Sequence, residues 1–255
     1  VTNNSTLTVT TALSGASTLT QGSSSTLNIA GTSGITGLDA STNTNTVNYT
    51  GSAQTVKPVT YSTLGLSGSG AKTMTSVTTV NSDFNMSGSS TSTTALTTIG
   101  GNASITGTAV WTNGAANVIT GTLTVGSGAK LTMGNSALTI TSTTSLTGTI
   151  DTATGSTGTR LFIGAVTINS GGVWDLSGQN PGVTFRGGLT NNSSSGFTSG
   201  SGTYTFDTNA QTISGSQSFT ITNLTNNVTT STGLTFSGAQ PTVTTLTQGS
   251  SAQLT

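Results

Sequence analysis

A short block recurs along the chain about every 20 residues, and this interval constrains the fold more than any other feature. The block is an alternating apolar stretch, a small or polar turn, and a second alternating stretch. It appears as Leu19-Thr-Gln-Gly-Ser-Ser-Ser-Thr-Leu27-Asn-Ile29, Leu123-Thr-Val-Gly-Ser-Gly-Ala-Lys-Leu131-Thr-Met133 and Val166-Thr-Ile-Asn-Ser-Gly-Gly-Val-Trp174-Asp-Leu176. Between these lie Val80-Asn-Ser-Asp-Phe84-Asn-Met86 and Ile99-Gly-Gly-Asn-Ala103-Ser-Ile105, offset by 99 − 80 = 19. A unit of that size is too small to bury its own apolar side and must stack on its neighbours, which is the logic of a solenoid. Strand side chains alternate, so Leu27 and Ile29 point to one side while Thr26 and Asn28 point to the other.

Composition agrees with repeated strands and turns. Thr makes up roughly a quarter of the chain, hydrophobic residues 31%, and Gly occupies 35 positions. Thr and Val are β-branched and suit a pleated surface, whereas Gly, Asn and Ser form turns. Disordered chains of similarly low hydrophobicity are usually rich in Pro and charge, but this one has three Pro and a net charge of zero. The fold expected is all-β: an elongated parallel β-helix of roughly a dozen coils about 4.8 Å apart. Its inward positions should include Leu19, Leu27, Ile29, Val80, Phe84, Met86, Ile99, Ile105, Leu123, Leu131, Met133, Ile168, Trp174 and Leu176. The alternative is a string of antiparallel β-sandwich modules, which also use short strands with regular turns.

A longer repeat joins the two ends. Thr18-Leu-Thr-Gln-Gly-Ser-Ser-Ser-Thr-Leu27 returns as Thr245-Leu-Thr-Gln-Gly-Ser-Ser-Ala-Gln-Leu254, offset by 227, and Asn3-Asn4 returns as Asn226-Asn227, offset by 223. A four-residue insertion separates the two matches. Residues 1–223 thus read as one long repeat and residues 224–255 as the opening of the next copy, as in a piece of a longer array. Val1 starts in strand-like sequence without a basic and apolar leader, as expected of a mature or internal segment. A third echo links Tyr49-Thr-Gly-Ser-Ala-Gln54 to Phe206-Asp-Thr-Asn-Ala-Gln211. A Gln at a fixed place after an aromatic suggests a structural hydrogen bond at a corner of the coil, and contact with a sugar is the other reading.

The chemistry available is narrow. With no His and no Cys, Ser/His/Asp sites, Cys nucleophiles and thiolate metal sites are excluded. Glycosidases and polysaccharide lyases need clustered carboxylates or a carboxylate with a base, and the only acids, Asp39, Asp83, Asp151, Asp175 and Asp207, fall on separate blocks. Asp151 and Asp175 lie about one repeat apart and would stack on adjacent coils, where they are the one candidate carboxylate or Ca²⁺ pair; a surface or turn role fits them better. No catalytic, cofactor-binding or metal-ligating residue is assigned, and no cofactor is expected. Lys57, Lys72, Lys130, Arg160 and Arg186 are scattered, so nucleic acid is not an expected partner. The longest apolar stretch, Leu161 to Ile168, falls far short of the roughly 20 residues that span a bilayer. Trp111 and Trp174 read as wedges in a thin core, or as platforms for a sugar.

Tyr61-Ser-Thr-Leu-Gly-Leu-Ser-Gly-Ser-Gly-Ala-Lys-Thr-Met74, Thr79-Val80-Asn81 and the Ala-Gln-Thr blocks resemble repeats of large exported bacterial surface proteins of the β-solenoid, filamentous-haemagglutinin and autotransporter-passenger kind. The resemblance implies an extracellular or cell-surface, nonenzymatic fibre segment whose partners are copies of itself or flanking repeats. It equally allows an adhesin that binds glycans. It transfers no functional residue. A third possibility is ice binding, because Thr18-Leu-Thr20, Thr122-Leu-Thr124, Thr242-Val-Thr244 and Thr245-Leu-Thr247 each aim two hydroxyls outward. An ice-binding face needs such pairs on nearly every coil, and in the sequence they come and go. So few charges also imply stability nearly independent of salt and of pH between about 5 and 9.

Overall fold

The computed structural model describes residues 1–194 and 196–255. These residues form strands, turns and bends with no helix, and every strand pairing is parallel. Three strand positions alternate along the chain, giving a coil with three faces. The first face is one twelve-stranded sheet running from Thr6–Val9 to Leu234–Phe236. The second begins with the pair Ala12–Leu13 and Thr32–Ser33 and continues as an eight-stranded sheet from Gln54–Thr55 to Phe197–Thr198. The third begins with Thr2–Asn3, Thr18–Gln21 and Gly37–Asp39 and continues as a nine-stranded sheet from Thr79–Val80 to Thr242–Gln248. Tyr61 joins those two sheets by bridging Ala40 and Val80. The fold is therefore a β-solenoid, and the antiparallel sandwich alternative does not apply.

The pitch of the sequence repeat is the pitch of the coil. One turn leads from Thr6 to Thr26 and another from Phe84 to Ala103; the turn from Thr46 to Thr63 is shorter and that from Leu189 to Ile213 longer. The corners absorb the variation, because strand register must hold an apolar residue over an apolar residue. All fourteen expected inward positions are buried, Leu19 at 4% exposure being the most open of them. One column on the third face runs Tyr61, Val80, Ile99, Ile119, Ile140, Phe162, Phe185, Phe206.

Two features differ from the sequence reading. The three blocks are not equivalent: Leu19–Ile29 turns from the third face to the first, whereas Leu123–Met133 and Val166–Leu176 turn from the first to the second. The strand-turn-strand pattern thus recurs at different corners. The aromatics, scattered in sequence, gather in space. Phe185 stacks on Phe162, Tyr204 and Phe206 with ring centroids 5.7, 6.0 and 5.0 Å away, and Trp174 lies 6.1 Å from it. Coiling brings residues a full turn apart into contact, which linear inspection conceals.

Corners are sealed by side chains that reach the next coil. Asp83 Oδ1 accepts from the Asn102 backbone N–H at 2.8 Å, and Asn102 Oδ1 accepts from Thr122 N–H at 2.9 Å. Asn135 Oδ1 does the same for Thr157, and Asn180 Oδ1 for Ser201. Each bond satisfies a backbone group that leaves the ladder at the turn. At the corner between the first and second faces, Gly68, Gly88, Gly107 and Gly128 stack with φ of +74°, +66°, +66° and +80°. A Cβ on Gly88 would collide with the Gly68 carbonyl oxygen, so this ladder requires glycine for both conformation and space.

Candidate functional site

The few charged residues are spread over the rod. Asp151 and Asp175 do stack on adjacent coils of the second face, since Ile150 pairs with Trp174 immediately before them. Each is already engaged. Asp151 forms an ion pair with Lys130, and Asp175 Oδ1 accepts from the Ser177 N–H at 3.0 Å and hydroxyl at 2.7 Å. Asp39 accepts from Thr42 and Ser41, and the Thr42 hydroxyl is the main cause of its lowered pKa. Asp207 pairs with Arg186 at 2.8 Å and raises the guanidinium pKa, chiefly through that hydrogen bond. Among the described residues no three His, Cys, Asp or Glu side chains converge.

Gln54 and Gln211 serve as the corner hydrogen-bonding groups expected of them. Gln54 Nε2 donates to Ile29 O and Gly31 O at 2.8 and 2.7 Å, and its Oε1 accepts from Gly51 N–H. Gln211 Nε2 donates to Asp207 O, and its Oε1 accepts from Gly188 N–H. They occupy different corners, Gln54 entering the second face and Gln211 the first. Trp111 and Trp174 are fully buried, with indole N–H groups donating to Thr94 and Tyr204, so they form core wedges and present no platform to solvent.

Two cations were not singled out by sequence. Lys72 and Arg160 are each 1% exposed, inside the coil, and among the described residues neither has a carboxylate partner. Lys72 Nζ donates to Gly51 O and Ser52 O at 2.6 Å and to Gln54 Oε1 at 2.9 Å. Arg160 donates to Gly134 O, Ser136 O, Thr159 O and Ser156 Oγ. Both thus replace hydration with carbonyl dipoles. Burial pushes the Lys72 ammonium down to about 8 and the Arg160 guanidinium down to about 10. Lys72 therefore ends the expected pH-independent range near 8. The signal available in sequence was its place, one residue before Thr73, in an alternating strand.

What remains for recognition is the outer surface. On the third face one outward column runs Thr2, Thr20, Asp39, Thr60, Thr79, Thr98, Val118, Thr139, Leu161, Thr184, Thr205, Thr225, Thr247. Threonine holds ten of those thirteen places. The Thr-x-Thr pairs do not all line up: Thr18/Thr20 and Thr245/Thr247 hold the same place on the third face near its two ends, but Thr122/Thr124 lies on the first. The single column was invisible in sequence because coil length varies, from the short turn at Thr46–Thr63 to the long one at Leu189–Ile213. Side chains on the first face bond along its own column, with Asn48 donating to Asn28 at 2.9 Å and Thr190 meeting Ser214 at 2.9 Å. No such chain of side-chain bonds links the third-face threonines among the described residues.

The two matching ends of the sequence form matching corners of the coil. Asn3 Nδ2 donates to Gln21 Oε1 at 2.9 Å and to Thr26 O at 3.1 Å; Asn226 Nδ2 donates to Gln248 Oε1 at 3.2 Å and to Gln253 O at 2.9 Å. Asn3 pairs with Gln21 and Leu7 with Leu27, just as Asn226 pairs with Gln248 and Leu234 with Leu254. The four-residue insertion falls at the corner between Asn226 and Leu234. Comparison with protein-family models, curated proteins and solved structures finds no match to this chain.

Proposed function

We propose that the chain is a nonenzymatic structural segment of an extracellular or cell-surface fibre, of the exported bacterial β-solenoid kind, whose partners are further copies of the same repeat. The observation that carries this reading is the return of the Asn3–Gln21 corner as Asn226–Gln248, with matching partners and strand positions. Eleven coils separate the two, so residues 1–223 behave as a building block whose successor starts in the same register on the same face. Repetition at about 4.8 Å per coil gives an axial period of about 53 Å. Two other features support a scaffold: polar corner residues bonded to backbone, and carboxylates each committed to a local partner.

The test is electron microscopy of native material labelled with antibody against this chain. Extracellular filaments with labels at multiples of about 53 Å are the expected result. Saturable glycan binding by the isolated chain, with no filament in the native material, would favour the adhesin reading instead. Ice binding has the third-face threonine column in its favour, and thermal hysteresis by the isolated chain would establish it.

A further inference from the structure

We infer that the rod carries a seam between residues 31–40 and the coil above them, where its second and third faces part transiently while the first face serves as the hinge. The first face crosses this level unbroken, with Thr26–Ile29, Thr46–Tyr49 and Thr63–Leu66 paired residue for residue. On the second face Thr32–Ser33 pairs only with the coil below, and the next strand, Gln54–Thr55, pairs only with the coil above. On the third face Gly37–Asp39 likewise pairs only downward, and Ala40 alone reaches the next coil, through Tyr61. From Thr32 to Asp39, among the described residues, no backbone hydrogen bond rises to the next coil, whereas Thr32, Gly34 and Thr36 N–H groups donate to Thr11, Leu13 and Gly15 below.

Local sequence accounts for the break. Pro58 has no N–H to give a ladder, and Val59 N–H turns back to Lys57 O, so the chain after Val56 makes a turn where other coils lay a strand. Alternate residues of a parallel strand offer their backbone groups to opposite neighbours, so Gly31, Ser33 and Ile35 face the gap. Side chains stand in for the missing ladder: Gln54 Nε2 donates to Gly31 O at 2.7 Å and Lys57 Nζ to Ile35 O at 2.6 Å. Ser33 has no such substitute. Its buried Oγ is without a partner, and it lines a cleft of about 490 Å³ with Gly31, Gly34, Ser52, Gln54 and Thr55. The Tyr49 and Tyr61 hydroxyls bond the Lys57 backbone, which fastens that turn to the upper side of the seam.

The seam is thus closed by two side chains and the shared apolar core, while the levels above and below it are closed by ladders. Local opening draws on the least-bonded part of a structure, and each coil of a solenoid touches only its neighbours. Parting at the seam gives up the Gln54 and Lys57 bonds and leaves the first-face ladder whole. The closed rod prevails, and its rare openings concentrate at this level. The inference concerns the single chain and does not need the fibre reading; in a fibre of such blocks the seam would recur once per block, as the place that yields first under strain.

The chain contains no Cys, so single thiols report opening cleanly. Val56 and Val47 belong to one coil, on the seam side and the hinge side, at 3% and 0% exposure, and Val125 lies at 0% in a fully laddered coil. In native buffer a water-soluble maleimide should modify Val56→Cys at least about tenfold faster than Val47→Cys or Val125→Cys, with circular dichroism unchanged. Leu38→Cys, on the lower side of the seam, should behave as Val56→Cys does. Adding Lys57→Met should speed modification of Val56→Cys by about three- to tenfold and leave Val125→Cys as it was. Equal rates at Val56→Cys and Val47→Cys would overturn the seam, because global unfolding would then govern both. Acceleration of every site by Lys57→Met, or fast labelling at Val56→Cys that Lys57→Met does not change, would overturn it as well.

Discussion

Phe185→Ala should be among the most damaging single substitutions in the rod. Phe185 is fully buried and meets Phe162, Trp174, Tyr204 and Phe206 at centroid distances of 5.0 to 6.1 Å. Truncating a buried Phe costs about 3–5 kcal/mol, through lost transfer energy and the cavity left behind. Aromatic pairs add about 0.5–1.5 kcal/mol each beyond their area, which places this site near the top of that range, at about 5 kcal/mol. Coils touch only their neighbours, so the loss should be local. Trp174 lies in the stack, whereas Trp111 sits three coils earlier beside Phe84. Urea unfolding followed by fluorescence, in backgrounds that keep one tryptophan or the other, reads the two regions separately. With a slope of about 3 kcal/mol/M, the Trp174 midpoint should fall by about 1.5 M and the Trp111 midpoint by clearly less. Phe185→Leu keeps most of the volume and should cost about 1.5 kcal/mol. A Trp174 shift worth under about 1 kcal/mol would refute the aromatic stack, and equal shifts at both reporters would refute nearest-neighbour coupling.

Further outcomes follow from the corners and the buried cations. Gly88→Ala forces a Cβ onto the Gly68 carbonyl at a positive φ, and should cost about 1–3 kcal/mol by thermal or denaturant midpoint. The unfolded chain keeps the Lys72 proton up to its ordinary 10.5 while the folded chain releases it near 8. Stability should therefore be level from about pH 5 to 8 and rise from pH 8 toward 10, by no more than about 3 kcal/mol, above which Tyr61 and Tyr204, held protonated by burial in the folded chain, offset the rise. Lys72→Met should abolish that rise, and a midpoint that falls with pH over this window would contradict the burial argument. Lys130→Ala breaks a half-exposed ion pair and should change stability by less than about 1 kcal/mol, as a denaturant titration would show.

Much of the fold was legible because solenoid packing makes alternation and burial the same signal. Leu27, Ile29, Phe84 and Met86 alternate with polar residues in the sequence and are buried in the coil. Lys72 and Arg160 broke that correspondence. Both stand at inward positions of alternating strands, where a charged residue reads as outward unless backbone carbonyls at the corner are known to receive it. The third-face column was hidden for a different reason. Thr60, Thr79 and Thr98 are evenly spaced in sequence, but the intervals from Thr139 to Leu161, Thr184 and Thr205 are longer and unequal. No fixed period aligns them, and only the ladder register does. The long repeat was readable from Thr18–Leu27 and Thr245–Leu254, yet only the Asn3–Gln21 and Asn226–Gln248 bonds reveal that it recurs at one place on the coil.

The central claim is that residues 1–223 form an eleven-coil block that stacks on its own successor. A chain carrying residues 1–223 twice, followed by 224–255, tests it by electron microscopy against the chain with a single block. The expected result is one straight, unbroken rod longer by about 53 Å, eleven coils at about 4.8 Å each. Two short rods joined at a flexible point, or an increment far from that length, would contradict it.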